Sequence, residues 1–375
     1  MKHRGSSHAT LRLLLVGLLP LAGTCTGPGW CRAEEAAAAT QLGVAHIGAG
    51  YAFTADGVLH EGAVTIRGLG ARCIKVGLSL DTEHPSPQVY ARHTHWPEVS
   101  SLDGLAGTPP YRDLFAMDFD TFILTAFRPA RPAGYWRDGF TAADERAEED
   151  CFAALAGHLL RTYAATRKTF VLQNWEGDWA LRGCFDPAVD PGGRAIDGMR
   201  RWLAARQRGV ARARREAEGS TARVWHACEV NLVLQAMERG APSVTVDVLP
   251  HVPVDLVSYS AWDTRDSPAR FAAALEFIGM HRRPTGADGR CGVYVGEFGC
   301  PESEASPEEV LERTRRLLVE AERFGCPYAV YWQLYCNETV PRDRAVDEPL
   351  GNRDFKGFWL VRPDGTRSPA CALFR

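Results

Sequence analysis

The feature that most constrains this chain is an eightfold alternation of short apolar runs with helical ones. The apolar runs are Leu42–Ile47, Ala71–Ser79, Thr121–Phe127, Thr169–Asn174, Arg223–Asn231, Asp255–Trp262, Gly292–Phe298 and Tyr328–Leu334. Helical spacing or capping predicts helices at Glu61–Leu69, Tyr111–Met117, Glu145–Thr166 and Ile196–Glu218, then from Ser267-Pro268 through Ile278 and from Ser306-Pro307 to Gly325. The last has the fullest signature: an N-cap serine, a proline at the first helical position, a capping-box glutamate at Glu309 and a terminating glycine. The charges of the basic helix at 196–218 read as a solvated face. A short segment around Ser368–Phe374 finishes the chain.

Strands separated by helices must pair in parallel through crossover connections. Runs such as Phe170–Leu172 and Ala329–Tyr331 are apolar on both faces, as a sheet covered by helices requires. Two architectures satisfy this, an open doubly wound sheet and a closed barrel. The open sheet would advertise a glycine-rich phosphate turn after its first strand, and Gly48-Ala49-Gly50 lacks the third glycine. The expected fold is therefore α/β, a single-domain (β/α)8 (TIM) barrel over residues 34–375.

Residues 1–33 stand apart. Lys2, Arg4 and Arg12 flank the apolar run Leu11–Ala22, and small residues lead to Cys31-Arg32-Ala33, the layout of a signal peptide. The run is about half the length a membrane span needs, so no membrane association is expected after its removal. The expected destination is the exterior or the periplasm. That segment holds four of the 43 Lys and Arg and none of the 46 Asp and Glu, leaving an acidic remainder with no basic stripe. This argues against nucleic acid as a partner. A monomer is expected.

In a barrel of this kind the reactive groups sit at the C-terminal strand ends. Three ends stand out: Gln173-Asn174-Trp175-Glu176-Gly177-Asp178-Trp179, Val295-Gly296-Glu297-Phe298-Gly299 and Tyr331-Trp332-Gln333-Leu334-Tyr335. Glu176 and Glu297 each follow an apolar strand and neighbour a glycine, which admits a substrate close to the backbone. Cleavage of a glycosidic bond with retention needs two carboxyls about 5 Å apart, one nucleophilic and one proton-donating. Burial and mutual repulsion would keep the donor protonated. Trp175, Trp179, Trp262 and Trp332 offer flat faces to sugar rings, and Asp178 and Asp263 could bind sugar hydroxyls.

At these residues the chain resembles the clan of (β/α)8 retaining glycosidases that includes the family 5 cellulases and mannanases. The resemblance implies that Glu297 is the nucleophile, that Glu176 is the acid/base, and that Trp332 is a sugar platform. It also implies that Tyr259 hydrogen-bonds the nucleophile, and that Trp359-Leu360-Val361-Arg362-Pro363-Asp364-Gly365 closes the barrel. The chain departs from the pattern in three places. The clan has adjacent Asn-Glu, whereas Asn174 and Glu176 are separated by Trp175. Lys75 stands near the position of a strand-two arginine, and no histidine matches the strand-three one. On a regular strand Asn174 would share a face with Glu176 and still reach a sugar hydroxyl. Glu229 is the reserve acid/base.

No metal and no organic cofactor are expected. His93-Thr94-His95 has the alternation of a metal pair but no accompanying carboxylate constellation. Nine cysteines follow residue 33, none in a C-x-x-C pair. Cys73 and Cys228 are expected to be buried thiols, and a Cys300–Cys336 bridge is expected at the site's rim. The sequence thus points to a secreted glycoside hydrolase acting on a poly- or oligosaccharide. The alternative is a carbohydrate-binding barrel without catalysis.

Overall fold

A computed structural model of the protein describes residues 39–286, 292–341 and 350–375. The expected signal peptide and Cys291 lie outside these. Eight strands close into a parallel barrel in chain order: β1 Gln41–Ala45, β2 Cys73–Ser79, β3 Thr121–Phe127, β4 Thr169–Gln173, β5 Arg223–Val230, β6 Leu256–Ser260, β7 Val293–Phe298 and β8 Tyr328–Tyr331. The expected barrel is observed, with no strand end more than three residues from its expected position. β3 matches at both ends.

The strands are buried almost throughout because helices cover their outer faces. Local chemistry sets the helix ends. Thr141 and Asp144 form a capping box on helix Ala142–Thr162, as do Ser306 and Glu309 on Pro307–Phe324, and Gly325 ends the latter in the left-handed conformation at φ 85°. Helix Val233–Arg239, which the sequence did not signal, starts from Leu232 at φ 49°. It is too short for its apolar spacing to register as a period. Among the described residues, no helix is long and apolar enough to cross a membrane.

The basic helix, observed as Gly193–Glu216, is not simply a solvated face. It packs against helix Ala142–Thr162, whose acidic residues meet its arginines in Arg201–Glu145, Arg208–Glu149 and Arg212–Asp150 pairs. These exposed pairs contribute little each. Arg206 is different. It is fully buried with Glu148 at 3.0 Å, and its guanidinium lies between the rings of Phe152 and Trp202, 4.0 Å from each. At Gly209 the two helices approach so closely that an added Cβ would lie 2.3 Å from the Glu149 carbonyl.

The expected Cys300–Cys336 bridge is not formed. Both are free, and their sulfurs face different acceptors, the Pro301 and Glu338 carbonyls. Cys73 and Cys228 are buried free thiols as anticipated, and burial pushes both well above the ordinary thiol range.

β7 carries the one irregularity that matters for the site. Tyr259 pairs with Val295 but Ser260 with Glu297, so one step along β6 spans two along β7. The same extra residue shows on the other side, where Val295 pairs with Ala329 and Phe298 with Tyr331. A β-bulge of this kind re-aims side chains. Here it turns Gly296 and Glu297 both toward the barrel lumen. A Cβ on residue 296 would lie 1.8 Å from Ser258 Oγ and 2.5 Å from a Glu229 carboxyl oxygen, so only glycine fits.

Candidate active site

The lumen at the C-terminal end of the strands holds a buried layer of polar side chains from four strands. Lys75 projects from β2, Gln173 from β4, Glu229 from β5 and Ser258 from β6. Lys75 is fully buried, and Nζ donates to Glu229 Oε2 at 3.0 Å, to Glu297 Oε1 at 2.8 Å and to the Gly296 carbonyl at 3.3 Å. Its three protons are thereby matched with three acceptors. Glu229 Oε2 also accepts from Gln173 Nε2 at 2.8 Å and Ser258 Oγ at 2.6 Å. Its other oxygen accepts the backbone N–H of Glu176 at 3.0 Å. Burial lowers the pKa of the Lys75 ammonium, but the charges of Glu229 and Glu297 outweigh it and the net shift is upward.

Above this layer Glu176 and Glu297 face each other. Glu176 follows β4 in a strained conformation, φ 29° and ψ 71°, which the Glu229 carboxylate stabilises through its N–H. The next residue must be glycine, since a Cβ at 177 would lie 2.4 Å from the Glu229 carbonyl. Glu297 Oε2 accepts from Trp262 Nε1 at 3.1 Å. Ser260 Oγ lies 3.0 Å from Glu176 Oε1 and 3.0 Å from Glu297 Oε2. The two facing carboxyl oxygens are therefore no more than twice that distance apart.

Ser260 has one proton to give and two carboxyl oxygens in range, so one of these contacts requires a proton on the carboxyl. The surroundings decide which. Burial raises the pKa of both groups, but Glu297 has the Lys75 ammonium and the Trp262 N–H favouring its charged form. Glu176 is raised well above the ordinary carboxyl range by burial, then by the charges of Glu297 and Glu229. Of the two carboxyls, Glu176 is therefore the one pushed further toward its protonated form.

Both glutamates open onto a cleft of about 1240 Å³, whose walls include Trp175, Trp179, Trp262, Trp332 and Phe358. All four tryptophans expected near sugar rings thus border one space. Trp332, whose peptide to Gln333 is cis, donates through Nε1 to Glu338.

Four expected roles change. The Asn174 amide is spent on β5, its Oδ1 accepting Glu229 N–H at 2.9 Å and its Nδ2 donating to the Glu229 carbonyl, so it clamps two strands instead of reaching into the cleft. Asp178 is fully buried, accepts N–H groups of Asn231 and Val244, and pairs with Arg182. Burial pushes its pKa up to about 6. Tyr259 does not meet Glu297. Its ring stacks on Phe271 in the helix layer and its hydroxyl donates to Asp263, because alternate β6 residues face opposite ways and Ser258 and Ser260 hold the lumen side. The bond expected from Tyr259 comes instead from Ser260 and Trp262. Asp263, occupied by Tyr259 and by Leu234 N–H, is likewise structural. Glu229 sits beneath the cleft rather than on its wall. His93 and His95 are exposed and do not line it.

No protein-family model and no curated protein matches the sequence. Solved structures do match. A glycoside hydrolase 5 lichenase from Caldicellulosiruptor sp. F32, solved with cellotetraose, has a TM-score of 0.52 at 9% identity, over 89% of this chain and 91% of that one. A rice β-glucosidase gives 0.51 at 11% identity, over 84% of this chain and 86% of that one. A family 39 glycoside hydrolase from Bacteroides cellulosilyticus WH2 gives 0.50 at 13% identity, over 89% of this chain, which spans 62% of that protein's length. At these identities the likeness is one of fold, and no single family is assigned.

Proposed function

We propose that the protein is a glycoside hydrolase that cleaves a poly- or oligosaccharide by double displacement, with Glu297 as nucleophile and Glu176 as acid/base. The observation that carries this reading is the Glu176–Ser260–Glu297 bridge at the floor of an aromatic-walled cleft. A retaining pair sits about 5–5.5 Å apart and an inverting pair about 6.5–9.5 Å apart. The bound set by Ser260 favours the shorter class. The difference in environment supports the division of labour, burial and repulsion favouring a proton on Glu176 while Lys75 and Trp262 favour the charged form of Glu297.

In the first step Glu297 attacks the anomeric carbon, the bond to the leaving oxygen breaks, and Glu176 gives that oxygen its proton. The glycosyl group is then an ester of Glu297. In the second step Glu176 takes a proton from water as the water oxygen attacks the same carbon, and the ester bond breaks to restore the Glu297 carboxylate. Charge developing on the sugar ring is met by the anionic floor, and ring faces are met by the tryptophans. We further propose that residues 1–33 direct export of the chain.

The test is turnover of a panel of plant, algal and microbial glycans by wild type, Glu297→Gln and Glu176→Gln, with the anomeric form of the product read by NMR. Retention in the wild type and loss of turnover in Glu297→Gln are expected. Glycan binding with no product from wild type would instead establish a non-catalytic binding barrel.

A further inference from the structure

Among the described residues four Lys and Arg side chains line the cleft, and three are already matched to carboxylates. Lys75 is held by Glu229 and Glu297, Arg265 by Glu304 at 2.6 Å, and Lys356 by Glu338 at 2.9 Å. Arg137 is the exception. It lines the cleft, and among the described residues no carboxylate pairs with it. One of its five N–H groups is used, Nη1 donating to the Ala180 carbonyl at 3.0 Å.

Its surroundings make room for the guanidinium. A Cβ on residue 134 would lie 2.2 Å from Arg137 Nη1, and one on residue 183 would lie 3.1 Å from Nε. Two glycines therefore border the slot, and the Ala180 bond fixes the fork within it. Beside it stands an aromatic wall, in which Phe185 is 71% exposed and contacts Trp175 and Trp179 with ring centroids 6.2 and 5.9 Å away. So large an exposed ring against two tryptophans is a surface that a ligand would cover. Trp175 and Trp179 flank Glu176 in the chain, which places this wall on the proton donor's side of the scissile bond, where the leaving group sits.

From these observations we infer that Arg137, with Trp175, Trp179 and Phe185, forms a leaving-group subsite for a sugar bearing an oxyanion, a carboxylate or a sulfate. A guanidinium fork matches the planar pair of carboxylate oxygens, or two oxygens of a sulfate, in a way it does not match scattered hydroxyls. The aromatic rings supply apolar contact with the ring face of the same unit. The inference rests on the proposed glycosidase reading only for the side of the bond it assigns. The binding itself is independent of catalysis.

The experiment measures calorimetric binding of three length-matched oligosaccharide sets, neutral, uronate-containing and sulfated, to full-length Glu297→Gln protein with and without Arg137→Gln. Arg137→Gln is expected to weaken the preferred acidic set about tenfold or more and the neutral set less than about twofold. Whichever acidic set responds identifies the anion. Arg137→Lys, which keeps charge but loses the fork, is expected to fall between. Binding of the acidic set by Arg137-intact protein is also expected to weaken with added salt while neutral binding does not, a readout that survives if Arg137→Gln misfolds. Parallel losses on neutral and acidic ligands, or salt-independent binding with no acidic preference, would overturn the inference. Arg137-dependent acidic binding by a wild type that hydrolyses no ligand would retain the subsite and overturn the glycosidase reading.

Discussion

Lys75 is the single ammonium in a buried set of three carboxyls, so its removal should show how far the site behaves as one charge network. In Lys75→Met the bonds to Glu297 at 2.8 Å and Glu229 at 3.0 Å are lost together, both in places closed to water. Breaking a buried pair by deleting one partner costs about 3–5 kcal/mol, because the remaining charge is left uncompensated. Two carboxylates are exposed to that fate here, which puts the expected loss at the upper end of the range. Glu229→Gln removes one of the two and leaves Lys75 with Glu297. In Lys75→Met/Glu229→Gln the formal charge of the cluster equals that of wild type, so the double variant should be more stable than the sum of the single losses by about 2 kcal/mol. Urea unfolding of the four proteins at neutral pH measures this cycle. The losses adding within about 0.5 kcal/mol would refute a coupled network. The same Lys75→Met change removes the main influence holding Glu297 ionised, so any residual activity should require higher pH than wild type.

Three further outcomes follow from the geometry. The folded state holds the Glu176 proton to higher pH than the unfolded chain does, so this group's stabilising contribution is full below the ordinary carboxyl range and declines as pH rises through its folded value. Glu176→Gln should therefore gain in stability relative to wild type as pH rises above the ordinary carboxyl value of about 4, and a difference that does not change with pH would contradict the upward shift. Trp262→Phe keeps the ring but removes the N–H to Glu297 Oε2, with an expected loss of about tenfold in kcat on any glycan the wild type turns over. An unaltered kcat would show that this bond does no chemical service. Finally, peptide mapping after alkylation under unfolding conditions should find Cys300 and Cys336 both as free thiols; a linked peptide would contradict the structure.

The barrel was legible in the sequence because eight apolar runs, each bounded by glycine, proline or a helix cap, leave few ways to cover both faces of a sheet. Glu176 and Glu297 were legible for a related reason, each standing at a strand end beside a glycine that the structure shows to be sterically required at positions 177 and 296. What the sequence did not carry was which way individual side chains face. Tyr259 reads as well inward as outward until the register of β6 is known, and the extra residue in β7 leaves no mark in composition. Asn174 and Glu176 both lie just past the end of β4, where the positive φ at Glu176 breaks the alternation that a continued strand would have kept. Lys75 could be set only against the position of a strand-two arginine, because its partners are 154 and 222 residues away. Ser260 and Arg137 carried no signal at all, the one small and the other in a loop.

Double displacement requires Glu297 to become covalently attached to the sugar. Glu176→Ala should slow the second step, so incubation with aryl glycosides, whose leaving groups need little protonation, should accumulate a glycosyl–enzyme that intact mass spectrometry detects. The prediction is a mass gain of one glycosyl unit that maps, after digestion at low pH, to the peptide containing Glu297. Turnover that releases an inverted product without any adduct, or an adduct mapped to Glu229, would contradict it.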